Sequence, residues 1–122
     1  MGGDHGPHVL LLAATNSLQK LPKLHLTICG HASAYAQFSN ELDVKTRLRV
    51  DFVDCDEIVT MTDKPTTALR KKKRSSMRKA IELVKSGDVQ ACVSSGNTGA
   101  LMAMAYYVLK TLPGISRPAL IS

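Results

Sequence analysis

Apolar residues recur along this chain with two periods, one helical and one alternating, and the two take turns. Leu10, Ala14, Ser17, Leu18 and Leu21 fall on one helical face, and Pro22 stops that helix. Met1-Gly2-Gly3-Asp4-His5-Gly6-Pro7 before it is too glycine-rich for an element interior and reads as a loop, with Pro7 near the first helical position. Residues 24–29 alternate Leu24, Leu26, Ile28 with His25, Thr27, Cys29 and end at Gly30, which is the pattern of a strand and turn. Residues 34–42 form a weaker helical pattern. Leu48, Val50 and Phe52 alternate again, giving a second strand that ends in Asp54-Cys55-Asp56-Glu57, and residues 58–63 have no period and read as a loop.

The second half starts with Lys64-Pro65 opening a helix through Thr66, Thr67, Ala68 and Leu69. The basic run 70–74 is either the end of that helix or a bend, because Ser75 or Ser76 can cap a new one. Met77, Ala80, Ile81 and Val84 then lie at i, i+3, i+4 and i+7, with Arg78, Lys79, Glu82 and Lys85 on the wet face. Gly87 closes this helix. Ala91-Cys92-Val93 reads as a buried strand, 94–99 as a polar glycine turn, and 100–109, apolar on nearly every face, as a buried helix. Pro113-Gly114 ends it, and Ala119-Leu120-Ile121 begins a further strand. Strands alternating with helices predict a three-layer α/β/α arrangement with a mostly parallel sheet, forming one domain over 1–122. The sheet is expected to be incomplete at both ends, since the loop at 1–7 should follow a strand and none precedes it.

The strand–turn–helix at 91–109 carries the clearest chemistry. A glycine turn feeding a helix aims free backbone N–H groups at an anion, and the helix dipole adds partial positive charge. Gly96 and Gly99 permit close backbone approach or positive φ, while Ser94, Ser95, Asn97 and Thr98 add small hydrogen-bonding groups. The alternative is an ordinary βα connection capped by Asn97 or Thr98. In an open α/β sheet the 1–7 and 94–99 loops both belong to the ligand-lining kind, so they are expected to face each other.

Charge changes the picture locally. The net charge is +6, yet residues 64–79 hold eight of the 16 basic residues and no acid, so the remainder is slightly acidic. Such a patch is either a solvated helix face or a site for an anionic substrate, an acidic partner, a membrane surface or nucleic acid. Cys29, Cys55 and Cys92 are odd in number and include no Cys-x-x-Cys pair, which fits reduced, buried thiols, at least for Cys29 and Cys92. No apolar run reaches spanning length, and the start lacks the pattern of a signal peptide.

The segment SSMRKAIELVKSGDVQACVSSGNTGALMA, together with the opening MGGDHGP, resembles the PlsX-type phosphate acyltransferases of bacterial phospholipid synthesis. Two separated motifs in the right order, with a matching connection, carry the resemblance over the whole chain, which corresponds to the N-terminal part of a family member. Family members carry a short apolar strand just before MGGD, so this chain is expected to begin one strand late. Ser95 stands where the family usually has Ala, and Arg74 where it often has an acidic or small residue. The resemblance implies an isopropylmalate-dehydrogenase-like fold and transfer of a fatty acyl group from acyl-[acyl carrier protein] to inorganic phosphate, without a cofactor. Asn97 and Asp4 are then the candidate catalytic residues. Gly2, Gly3, Ser94, Ser95, Gly96, Thr98 and Gly99 are the candidate phosphate and substrate site. Arg70, Lys71, Lys72, Lys73, Arg74 and Arg78 are candidates for docking the acidic carrier. The resemblance further implies a cytoplasmic homodimer when full length, able to associate peripherally with the membrane through parts outside this chain.

Other chemistries fit the sequence less well. Asp4, His5 and His8 lack a second carboxylate at ligand spacing, so no metal is expected. Ser94-Ser95-Gly96 is not a nucleophile elbow. A nucleic-acid-binding module would use the basic run, but aromatic residues make up only 4% of the chain and none lies within the run. A nucleotide-binding module would want a first glycine before Gly96 and an acid about 20 residues later.

Overall fold

The two alternating segments of the first half become the two strands of a parallel sheet. A computed structural model describes Gly3 and residues 6–119. Along the chain run α1 (Gly6–Lys20), β1 (Leu26–Gly30), α2 (Ala32–Glu41), α3 (Val44–Arg47), β2 (Val50–Asp54), α4 (Pro65–Lys71), α5 (Ser76–Ser86) and α6 (Thr98–Leu109). Strand β1 pairs with β2 in parallel, with Leu26 opposite Val50 and Gly30 opposite Asp54. A parallel pair needs a crossover, and α2 with the short α3 supplies it.

The side-chain period of two sorts the strands between two cores. Leu26, Ile28 and Val50 face α1 and α2, where they meet Leu18, Phe38, Leu11, Ala14 and Tyr35. The Tyr35 ring stacks on Phe52 with centroids 4.3 Å apart. Cys29 projects to the opposite face, which α5 covers. Beyond α5 lies a second core, built from Val59, Ala68, Met77, Ile81, Ala100, Met104 and Val108, with Cys92 against it. The molecule is thus an α/β fold with helices on both faces of a parallel sheet.

Helix ends follow local chemistry. Ser75 caps α5, its Oγ accepting the Arg78 N–H, and Gly87 ends the helix at φ 85°, its N–H donating to Leu83 and Val84 carbonyls. Asp43 caps α3 through the N–H groups of Lys45 and Thr46. The C-terminal carbonyls of α1 have a less local solution. The Arg49 guanidinium, just before β2, donates to Leu18 O at 2.9 Å and to Leu21 O and Leu24 O at 3.1 Å. One planar cation thereby ties a carbonyl of the last turn of α1 (Leu18) to two in the segment that follows it (Leu21 and Leu24).

Two expectations need correction. Residues 91–95 form no strand: they have no ladder partner among the described residues, and Val93 is 90% exposed. An apolar run supplies a burial preference, but a strand also needs ladder hydrogen bonds to a neighbour, and this segment makes none to β1 or β2, whose described pairing is with each other. Helix α6, in turn, is not buried all round. Ala100, Met104 and Val108 form its buried stripe, whereas Tyr106 and Tyr107 are exposed, Tyr107 lying between the Arg78 guanidinium and the Lys110 ammonium at 5.4 and 5.0 Å. Residues 1, 2, 4, 5 and 120–122 are outside the described set. The expected fourth strand at 119–121 therefore falls almost wholly outside it, and Ala119 itself is irregular.

Candidate functional site at the start of helix α6

Helix α6 begins at Thr98 because Asn97 can stay non-helical and cap it. The Asn97 Oδ1 accepts the Ala100 N–H at 3.0 Å, and its carbonyl accepts the Leu101 N–H at 2.9 Å. Two N–H groups of the first turn, those of Thr98 and Gly99, have no protein acceptor among the described residues, and both residues are exposed. Just upstream, the Gly96 N–H donates to Ser94 Oγ at 3.2 Å, which folds the turn on itself. No acidic residue lies in the first turn of α6, so its positive dipole end is not locally neutralised.

The glycines act here by allowing contact. A Cβ on Gly3 would stand 2.7 Å from Ser95 Oγ and 3.2 Å from Ser95 O, so the two backbones approach where any side chain would intrude. Gly3 and the 94–99 turn are brought together, as the topology predicts. Gly99 is helical, and a Cβ there would lie 3.0 Å from Pro65 Cγ, so this glycine lets the start of α4 seat against the start of α6. The positive-φ glycines of the described residues are Gly6, Gly87 and Gly114. Neither Gly96 nor Gly99 has a positive φ, and Gly99 serves close approach instead. Gly2 and Asp4 lie outside the described residues.

The carboxamide of Asn97 has a second set of partners. It is buried, and its Nδ2 donates to the carbonyls of Thr60, Met61 and Asp63 at 3.1, 3.1 and 2.9 Å. The loop it holds is internally tied as well. The Asp63 carboxylate accepts the Thr60 N–H at 2.8 Å and pairs with Lys72 Nζ at 3.3 Å, and Lys72 also donates to Ile58 O at 2.6 Å. The Thr60 N–H, followed by Lys72, holds the Asp63 carboxyl below the usual carboxylate range. Asp63 and its loop carry no sequence signal of this role, because Asn97 lies 34 residues away and the pairing is purely tertiary. Pro65 opening a helix was the one local hint.

The basic run divides into paired and unpaired cations. Lys72 is tied to Asp63, Arg74 to Asp56, and Arg78 and Lys79 to Glu82. Arg74 also donates its backbone N–H to Glu57 at 2.6 Å. Arg70, Lys71 and Lys73 are exposed and make no ion pair among the described residues. The run does form the junction between two helices, with α4 ending at Lys71 and α5 capped by Ser75. Among the described residues no three metal-binding side chains converge, and no helix is long and apolar enough to cross a membrane.

Comparison with known proteins places these features in a family. Residues 1–122 match the model of the family described as fatty acid synthesis protein. The phosphate acyltransferase of Methylococcus capsulatus is 52% identical over all 122 residues, which span 36% of that protein. Those of Stutzerimonas stutzeri and Shewanella woodyi are 52% and 49% identical over the same 122 residues, spanning 34% and 36% of their lengths. The chain thus spans about a third of these curated relatives, and its Gly3 loop, its 94–99 turn and the start of α6 all lie inside the matched region. On this match over its whole length, the chain belongs to the fatty acid synthesis protein family.

Proposed function

We propose that this chain contributes the phosphate-binding part of a phosphate acyltransferase, which transfers a fatty acyl group from an acyl-[acyl carrier protein] to inorganic phosphate. The observation that carries the reading is the pair of Thr98 and Gly99 N–H groups without a protein acceptor among the described residues, on two exposed residues at the start of a dipolar helix, beside a turn against which Gly3 is packed. The names of the relatives, phosphate acyltransferase, support it. Phosphate needs no activation by a protein nucleophile. Held by backbone donors, its oxygen attacks the thioester carbonyl carbon, the oxyanion collapses, the C–S bond breaks, and the carrier leaves as its thiol after taking up a proton. Ser94, Ser95, Gly96 and the Gly2–Asp4 loop complete the proposed site around Asn97, Thr98 and Gly99. Arg70, Lys71 and Lys73, with the paired cations behind them, would receive the acidic carrier. A homodimer in the cytoplasm, with peripheral membrane association through other parts of the protein, is the setting the family resemblance suggests.

The test removes one donor without removing the helix. Proline is well tolerated at the first helical position and lacks an N–H, so Thr98→Pro deletes a single phosphate contact. Acyl phosphate formation is measured in a full-length phosphate acyltransferase carrying this segment. A bond to a charged oxygen contributes about 1.5–3 kcal/mol, so the KM for phosphate should rise roughly tenfold or more. An unchanged KM would reduce the turn to a plain connection. The 122-residue chain assayed alone should turn over far more slowly than the full-length protein.

A further inference from the structure

The segment that lies against the start of α6 is seated from two directions. Pro65 rests on Gly99 so closely that a Cβ would be 3.0 Å from it, and the carbonyls of Thr60, Met61 and Asp63 converge on Asn97 Nδ2. An amide nitrogen has two hydrogens, and three carbonyls already surround this one at 2.9–3.1 Å. The other end of the same carboxamide caps α6 through Ala100. One planar group therefore fixes both the loop and the first helical turn, and it cannot rotate for one without releasing the other.

We propose, resting on the phosphate-site reading above, that Asn97 is a positioning residue: it clamps the 60–63 loop to α6, and contact with the anion falls to the Thr98 and Gly99 N–H groups. The clamp works through the loop's own ties. Asp63 fastens the loop to Thr60 and to Lys72 at the α4–α5 junction, so the Asn97 carboxamide meets carbonyls that are already held in place. Loosening Asp63 frees the carbonyls, lets the Asn97 side chain turn, and frays the cap that orients the two free N–H groups. In this scheme Asp63 acts on the cap through Asn97, while Pro65 seats the following residues on Gly99.

The proposal is tested with Asn97→Ser, Asp63→Ala and the double variant, in a full-length phosphate acyltransferase carrying this segment. Asn97→Ser keeps a short cap acceptor while deleting all three donor bonds. We expect the KM for phosphate to rise about tenfold in Asn97→Ser and several-fold in Asp63→Ala, with the KM for the acyl carrier unchanged. The double variant should be no worse than Asn97→Ser, because both changes release one loop. A general loss of stability would not produce that selective rise. An unchanged phosphate KM in Asp63→Ala, or effects that multiply in the double variant, overturns the clamp and gives Asn97 direct contact with the anion. Should the unsubstituted protein make no acyl phosphate, the phosphate-site reading fails, and amide hydrogen exchange then decides the clamp by itself. Faster exchange at both Thr60 and Ala100 in each single variant supports it. An Ala100 amide unaffected by Asp63→Ala overturns it.

Discussion

Cys29 shows how far one residue's chemistry is set by where a strand points it. It faces α5 and is half-buried, and that burial, reinforced by Cys55 and Cys92, raises its thiol pKa from 9.0 to about 11. A thiol held that high is mostly protonated at neutral pH, and the thiolate is the reactive form. At pH 8 the thiolate fraction should be roughly 100-fold below that of an ordinary cysteine, since each unit of pKa is a factor of ten. Iodoacetamide labelling followed by peptide mass analysis should find Cys29 modified far more slowly than a free thiol; labelling at the free-thiol rate would contradict this. The sign for stability follows. A folded pKa above the unfolded one stabilises the fold below about pH 9, and the contribution is lost as pH rises towards 11. Sequence alternation predicted which side of β1 Cys29 would take, but not that two other thiols would share its neighbourhood.

At the scale of elements, α5 is the most locally determined piece of the chain. Its cap, its apolar stripe and its glycine stop are all written within thirteen consecutive positions, from Ser75 to Gly87. Replacing Ser75 with Ala should cost about 0.5–2 kcal/mol through loss of the cap. Gly87→Ala should cost roughly 1–2 kcal/mol purely from the left-handed backbone, because no atom lies within 4 Å of the added Cβ. Urea unfolding measures both, and a Gly87→Ala protein as stable as the parent would show that the helix end relaxes. The elements read well from sequence are those with such short-range rules: α1, both strands, α4, α5 and α6. Failure came where the deciding partner was remote. Cys92 and Val93 had the composition of a strand but make no ladder bonds to either described strand, and α3, only four residues long, had too few positions to show a period. The candidate site divides the same way. The turn and helix start were legible as a motif, whereas the Asn97 clamp on residues 60–63 and the Pro65–Gly99 contact exist only once the chain is folded.

For the molecule as a whole, charge and core are both distributed unevenly. Four of the eight cations of the 64–79 patch are already engaged by Asp56, Asp63 and Glu82, which leaves Lys64, Arg70, Lys71 and Lys73 as the outward field. If that field receives an acidic carrier protein, reversing Lys71 and Lys73 to Glu should slow association at low salt. The loss should shrink as salt rises, because exposed charges are screened beyond about 8 Å at physiological ionic strength. Stopped-flow association rates test this, and a rate unchanged at low salt returns the run to a solvated surface. The two cores are separated along the chain as well as in space. One draws on residues 11–50 and the other on residues 59–108, with almost no interleaving. A ribosome delivers the chain in that same order. The first core has every one of its members before the second has any, so the growing polypeptide can bury Leu18, Phe38 and Val50 while α6 is still being translated.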